Sequence, residues 1–268
     1  MATSIHPTAV VDPKAQLGEG VRVGPYAVIG ADVVIGAAST IGPHVVLDGR
    51  VRMGERNHIF PGACIGLEPQ DLKYSGDPTA VVMGDDNTIR ECVTINRATT
   101  GEQETRLGNG NLLMAYSHLG HNCELGDRIV IANGVAVAGH VVVGDRAVIG
   151  GVLGIHQFVH IGTLAMVGGM SRIERDVPPF TMVEGHPSRV RALNKIGLQR
   201  SGLAEANAGQ QLTELKRTWN LIYREGVPLA QALERLRSQS LGGAAEQLVA
   251  FLEASLAPSR RGPIPGAR

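Results

Sequence analysis

Aromatic side chains make up only 3% of these 268 residues, so the core cannot rest on large rings. Cysteine is as scarce: Cys64, Cys92 and Cys123 are odd in number and widely spaced. That excludes a disulfide framework and points to a reducing, cytoplasmic compartment. No apolar run reaches the roughly 18 residues of a membrane span. The opening "MATSIHPTAVVD" lacks the basic and apolar regions of a secretory signal. Excess charge is also missing, since 25 basic residues balance 25 acidic ones. General affinity for nucleic acid is not expected. A phosphate-cradling P-loop is absent too, which speaks against ATP use.

What the chain does have is glycine, 35 residues of it, and a period of six. Aliphatic residues recur from Ile5 through Val11, Leu17 and Val23 to Ile65, every sixth position. The period stops at "LEPQDLKYSGDPTA", resumes at Met83, Ile89 and Ile95, and pauses again over 100–106. It then runs without a break from Leu107 to Ile173. Six matches neither a helix nor a simple strand. It is the hexapeptide repeat of a parallel β-helix, three hexads to a coil, with coils stacked about 4.8 Å apart. The aliphatic residue points inward, and the residue four later (Ala9, Ala15, Val21, Ala27) is small or branched and also fits inside. This repeat class is left-handed, an exception to the usual crossover rule.

The expected organisation is an all-β left-handed parallel β-helix over 1–187, with loop insertions near 67–80 and 100–106. Beyond Pro187 the apolar spacing changes to three and four. Amphipathic helices are expected in "RVRALNKIGLQRSGL" and in three later segments, forming an α-helical domain over 188–257. Trp219 and Tyr223 read as a packing pair. The tail 258–268 is expected to be disordered.

Residues three hexads apart stand above one another in such a prism. His121, Gly139 and Gln157 make one column, and Asn122 and His140 the next. "SHLGHN", "AGH" and "IHQF" thus converge on one edge, with His118 and His121 pointing outward and Gly139 opening space above His121. Three readings meet there: solvated corners, a metal site or a catalytic base. Zinc requires about three close protein ligands. His118, His121 and His140 are imaginable ligands, but the neighbouring Asn122 and Gln157 are amides and poor ones. No metal is expected.

The stretches "PQDLKYSGDPT", "IRECVTINR", "NLLMAYSHLGHNC", "AGHVVVGD", "IHQF", "MVGG", "DVPPF" and "LNKIGLQRSG" resemble the UDP-N-acetylglucosamine O-acyltransferase family of lipid A biosynthesis. The resemblance covers nearly the whole chain. It implies transfer of a β-hydroxyacyl group from acyl carrier protein to the 3-hydroxyl of UDP-N-acetylglucosamine. It also implies a homotrimer with active sites between neighbouring prisms, and no cofactor beyond the carrier-protein thioester. His121 is then the general base, a role that imidazole suits near neutral pH. Gly139 N–H is the oxyanion donor. His118 and Gln157 contact the nucleotide, Asp71 and Lys73 the sugar, and His140 and Asn122 lie beside the reacting groups. Asn194 and Arg200 match the sugar-nucleotide and diphosphate contacts. Gly169, some 13 Å along the axis from His121 at about 4.8 Å per coil, is the acyl-length residue, for chains of twelve to fourteen carbons by resemblance. Cys123 falls at an inward position and reads as core.

Departures from the family pattern bear on sugar binding and acyl length. Asn122 stands where Asp is usual, Asn96 where His is common, Ile196 where Glu is common, and Pro187 where a histidine is found. They leave open the acyl length and whether the acceptor is the ordinary sugar or its 3-amino analogue. Arg172, Arg175, Arg189, Arg191, Lys195 and Arg200 cluster late in the chain. They form a candidate dock for acidic acyl carrier protein. The rivals on the same scaffold are an acetyl-CoA-dependent N-acetyltransferase and a zinc hydratase.

Overall fold

The computed structural model describes residues 2–203 and 209–267. From Ser4 to Ile173 the chain is a series of short strands, each paired in parallel with a strand one coil away. Arg22 pairs with Thr40, Val28 with Val46 and Val137 with Ile155, each an offset of three hexads. Three sheets result, of 11, 9 and 8 strands. They are termed faces A, B and C after their first strands, Ser4–Ile5, Val10–Val11 and Gln16–Leu17. The architecture is a left-handed parallel β-helix.

The hexad register places the side chains as the periodicity predicts. Leu119, Val137 and Ile155 stack inside face B, each almost fully buried. Ile5 belongs to the first coil, with nothing stacked beneath it, and is 48% exposed. Val137→Asp should collapse this stack. An unpaired carboxylate in an apolar interior costs several kcal/mol, a large share of a typical total stability of about 5–15 kcal/mol. Thermal melting followed by circular dichroism checks it; an unchanged melt would mean the inward register is misassigned.

The two interruptions are excursions that leave the coil intact. Ile59 pairs with Ile89, and Ile89 with Leu113, so each pairing simply steps over the inserted chain. The second excursion lies earlier than 100–106, between Asn96 and Glu104, because Glu104–Leu107 is already a strand on face C. The first is pinned at several points. Arg97 donates to the Tyr74 hydroxyl and the Gly66 carbonyl, Arg50 to the Pro78 carbonyl, and Thr79 to the Ala98 carbonyl.

The C-terminal part departs from expectation in two places. The boundary at 187/188 falls inside a β-hairpin, Thr181–Gly185 with Ser188–Leu193, that pairs antiparallel and extends face A. Thus "RVRAL" is strand, and only Lys195–Arg200 of that segment is helix α1. Its apolar residues fit either period. The open end of face A decides the outcome, because an unpaired sheet edge leaves backbone groups without partners. Helices α2 (Gln210–Tyr223), α3 (Leu229–Arg237) and α4 (Gly243–Ser255) follow, burying Leu215, Trp219, Leu236 and Leu248. The Trp219 and Tyr223 rings pack with centroids 5.7 Å apart.

The tail, expected to be disordered, is instead a docked strap. Ile264 is 3% exposed, and the backbone bridges Asp176 to Pro263 and Val190 to Gly266. Arg260 binds the buried Asp176 carboxylate through Nη2 at 2.6 Å and Nε at 3.0 Å. Asp176 also accepts from the Ser255 hydroxyl and the His160 N–H. Two anchors in a polar, proline-rich segment therefore outweigh its composition.

Candidate active site

The corner between faces B and C carries the histidines. Each of its turns places one residue in the left-handed region: Asn122 at φ 58°, His140 at 59°, Phe158 at 66°. These three side chains leave the prism in a column, and the His140 and Phe158 rings stack 4.7 Å apart. The preceding turn position holds His121, Gly139 and Gln157, one coil apart. Together with His118 and His156 these three line a groove of about 480 Å³. Its floor on face B is small and apolar, from Ala136 and Gly154, and it ends at Arg172 and Glu174.

His121 is 7% exposed although it points outward, because the next coil and its neighbours cover it. Its Nδ1 lies 2.9 Å from Asn122 Oδ1. That oxygen also accepts from the Thr99 backbone N–H at 3.2 Å and the Thr99 hydroxyl at 3.0 Å. A backbone N–H can only donate, so the amide atom facing Thr99 must be the carbonyl oxygen. Asn122 Nδ2 meanwhile donates to Gln103 Oε1 at 2.7 Å. An acceptor facing Nδ1 requires the proton there, which leaves Nε2 of neutral His121 as a bare lone pair.

Gly139 stands directly above the ring. A Cβ at Gly139 would lie 2.4–2.8 Å from the imidazole Cε1, Nε2 and Nδ1. Its N–H has no acceptor among the described residues. The coil does not use the amide at this turn position; Pro7, Pro25, Pro43 and Pro61 occupy it elsewhere. His121 and an idle backbone donor are thus one coil apart, about 4.8 Å.

The flanking histidines are held towards neutrality. Burial, then the nearby His121, pull the His118 pKa down, and its Nδ1 lies 2.7 Å from Thr94 Oγ1. Burial and His121 also lower His140, opposed by the charge of Asp71. The His121 and His140 rings meet edge to face at 5.1 Å. Burial pushes the Cys123 thiol up to about 12, which makes it an inert core residue and a poor nucleophile. Among the described residues no three His, Cys, Asp or Glu side chains form a metal cage.

The structure therefore brings together His118, His121, Asn122, Gly139, His140 and Gln157. The Asp71 loop turns over the groove of its own chain: Gln70 lines it, and Asp71 lies near enough to act on His140. Lys73 is exposed, its N–H bonded to Asp71 Oδ1. Three expected residues lie elsewhere. Asn194 caps α1 through Oδ1 to the Gly197 N–H and donates to the Leu164 carbonyl, so its side chain is already engaged. Arg200 ends that helix, exposed. Gly169 sits at the corner between faces A and B, across face B from the groove, where a Cβ would approach the Gly151 carbonyl at 3.1 Å. Thr99, Gln103 and Gln70 were not anticipated. All three belong to the excursions, whose interruption of the period was the available signal.

A family model described as UDP N-acetylglucosamine O-acyltransferase, domain 2, matches residues 176–264. The bacterial transferase hexapeptide model matches 14–49 and 104–139. An acyl-[acyl-carrier-protein]–UDP-N-acetylglucosamine O-acyltransferase from Gloeothece citriformis is 56% identical over 267 residues, 99% of this chain and 95% of its own. One from Synechocystis is 56% identical over 81% of this chain and 78% of its own. The structure of LpxA from Acinetobacter baumannii superposes with a TM-score of 0.89 at 38% identity, covering 97% of this chain and 99% of that one. The chain belongs to the acyl-[acyl-carrier-protein]–UDP-N-acetylglucosamine O-acyltransferase family.

Proposed function

We propose that this chain catalyses the first acylation of lipid A biosynthesis, moving a β-hydroxyacyl group from acyl carrier protein to the 3-hydroxyl of UDP-N-acetylglucosamine, with His121 as general base. The observation that carries the role of His121 is the fixed Asn122 amide, which aims a bare Nε2 into the groove. As the sugar oxygen attacks the thioester carbon, Nε2 takes its proton. The carbonyl oxygen gains charge, and the unused Gly139 N–H receives it. Collapse expels the carrier thiolate, and protonated His121 returns the proton to that sulfur. No covalent enzyme intermediate is required, and Asn122 orients the ring without adding charge. His118 and Gln157 serve the nucleotide, and Asp71 and Lys73 the sugar. The chemistry calls on no cofactor beyond the thioester, and we place it in the cytoplasm.

A trimer makes sense of the residues left outside the groove. The corner between faces A and B exposes Tyr116, Val152 and Met170, at 71%, 68% and 81%. Gly169 adjoins Met170 on this apolar ridge. A neighbouring copy that seats the ridge beside the groove covers the apolar surface and brings Gly169 to the acyl chain. Asn194 and Arg200 reach the nucleotide only from such a neighbour. The late basic cluster, Arg172 to Arg200, receives acyl carrier protein.

Mass spectrometry of products from UDP-N-acetylglucosamine and mixed β-hydroxyacyl carrier proteins tests the reading. One O-acylated sugar nucleotide of long chain is expected. Acylation of only the 3-amino analogue would move the chemistry to an amide. The active species should sediment at three times the chain mass, and a fully active monomer would refute the shared site.

A further inference from the structure

The groove ends at Arg172 and Glu174. The same two residues line a second cavity of about 460 Å³, closed by Arg175, Arg189 and the strap residues Pro263–Pro265. Arg175 belongs to the catalytic column: Gly139, Gln157 and Arg175 follow His121 at successive steps of three hexads, with no interruption between them. It therefore stands three coils above the base, about 14 Å at the usual strand spacing.

The charges in this cavity are unbalanced. Its one acidic lining residue, Glu174, is paired with Arg172. Arg175 and Arg189 have no carboxylate partner among the described residues. Arg189 Nη1 donates to the Ser188 carbonyl, and Arg175 Nη1 to the carbonyl of Arg261 in the strap. The strap is itself locked by Arg260 on buried Asp176, and Arg260 Nη1 also meets His160 Nε2 at 2.9 Å. Arg261 Nη2 lies 3.3 Å from His156 Nε2, at the rim of the groove. The latch thus orients one free guanidinium and walls the cavity that holds two.

We infer that the C-terminal strap completes an anion subsite, Arg175 with Arg189, that binds the phosphate ester of the acyl donor's prosthetic arm. This rests on the acyl-transfer reading above. The span selects the donor. In a phosphopantetheine arm about thirteen bonds separate sulfur from phosphorus. At the reach of an extended peptide, about 3.4 Å for every three bonds, this covers roughly 15 Å. That matches the three coils between the reacting thioester and Arg175. The sugar nucleotide's diphosphate is joined directly to the sugar that reacts at His121, so it lies within about one coil of the base and falls short of this cavity. Guanidinium forks suit phosphate oxygens in two-point contacts.

The test compares two small donors carrying the same β-hydroxyacyl chain, the acyl-phosphopantetheine and the phosphate-free acyl-pantetheine. The readout is the ratio of their kcat/KM values at saturating UDP-N-acetylglucosamine. Wild type should favour the phosphorylated donor, and Arg175→Gln and Arg189→Gln should each lower that ratio about tenfold, the loss of one charge-assisted bond. Both side chains are at least partly exposed, so the variants are expected to fold. A wild-type ratio near one, or a ratio unchanged in both variants, would overturn the subsite. A rise in KM for UDP-N-acetylglucosamine at constant donor ratio would overturn it too, by assigning the cations to the acceptor. Wild-type inactivity on every donor, acyl carrier protein included, would instead sink the acyl-transfer reading.

Discussion

His121→Ala should lower kcat by about 10²–10⁴, the usual worth of a general base, while KM for the sugar nucleotide changes little. In free-energy terms that is about 3–5 kcal/mol of transition-state stabilisation. The fold should survive, because the bonds that fix Asn122 do not depend on the ring. Its Oδ1 keeps the Thr99 N–H and hydroxyl, its Nδ2 keeps Gln103, and its own N–H keeps Thr105 Oγ1. The neighbours are poorly placed to substitute. His118 commits Nδ1 to Thr94, and His140 is sandwiched between His121 and Phe158. Steady-state kinetics across pH decide the matter. The limb that reports the base should vanish in the variant. Retention of more than a tenth of wild-type kcat would move the base to His140 or His118.

The sequence makes the prism legible because its physics is one-dimensional. Each coil touches only its neighbours, so the inward position repeats with one period and a misfit such as "LEPQDLKYSGDPTA" stands out at once. The same regularity stacks His121, Gly139 and Gln157 on paper, since three hexads return the chain to the same edge. What stays hidden depends on contacts without a period. The Asn122 amide is oriented by Thr99 and Gln103 from an excursion, and no spacing rule places those residues beside it. The strap is hidden for a related reason. Its composition is that of a disordered tail, and its order comes from Arg260 meeting Asp176, a carboxylate far back in the chain. Asn194 has a structural role that its motif does not announce. A family motif marks it as a substrate contact, whereas within one chain its side chain is taken up by a helix cap and the Leu164 carbonyl.

Gly139→Ala should be nearly as damaging to turnover as loss of His121, although it adds a single methyl and removes no functional group. The added Cβ would sit 2.4 Å from Cε1 and 2.5 Å from Nε2 of the imidazole, distances that no Cβ tolerates. The backbone resists moving: the Gly139 carbonyl accepts from the Phe158 N–H, and the His140 N–H donates to the His121 carbonyl. The ring must therefore swing away, breaking its alignment with Asn122 Oδ1 and carrying Nε2 out of reach of the sugar hydroxyl. A displacement of about 1 Å at a reacting group is worth about 10²-fold in rate, so kcat should fall by roughly that factor or more. The alanine N–H is still present for the oxyanion, which separates the two roles of the position. Non-additivity reveals which one is lost. With His121 already replaced by Ala, the steric partner is gone, and Gly139→Ala should add almost nothing to the defect. Measuring kcat for both single variants and the double variant closes the cycle. Independent, multiplying losses would show that Gly139 acts through its own backbone and not by leaving room for the base.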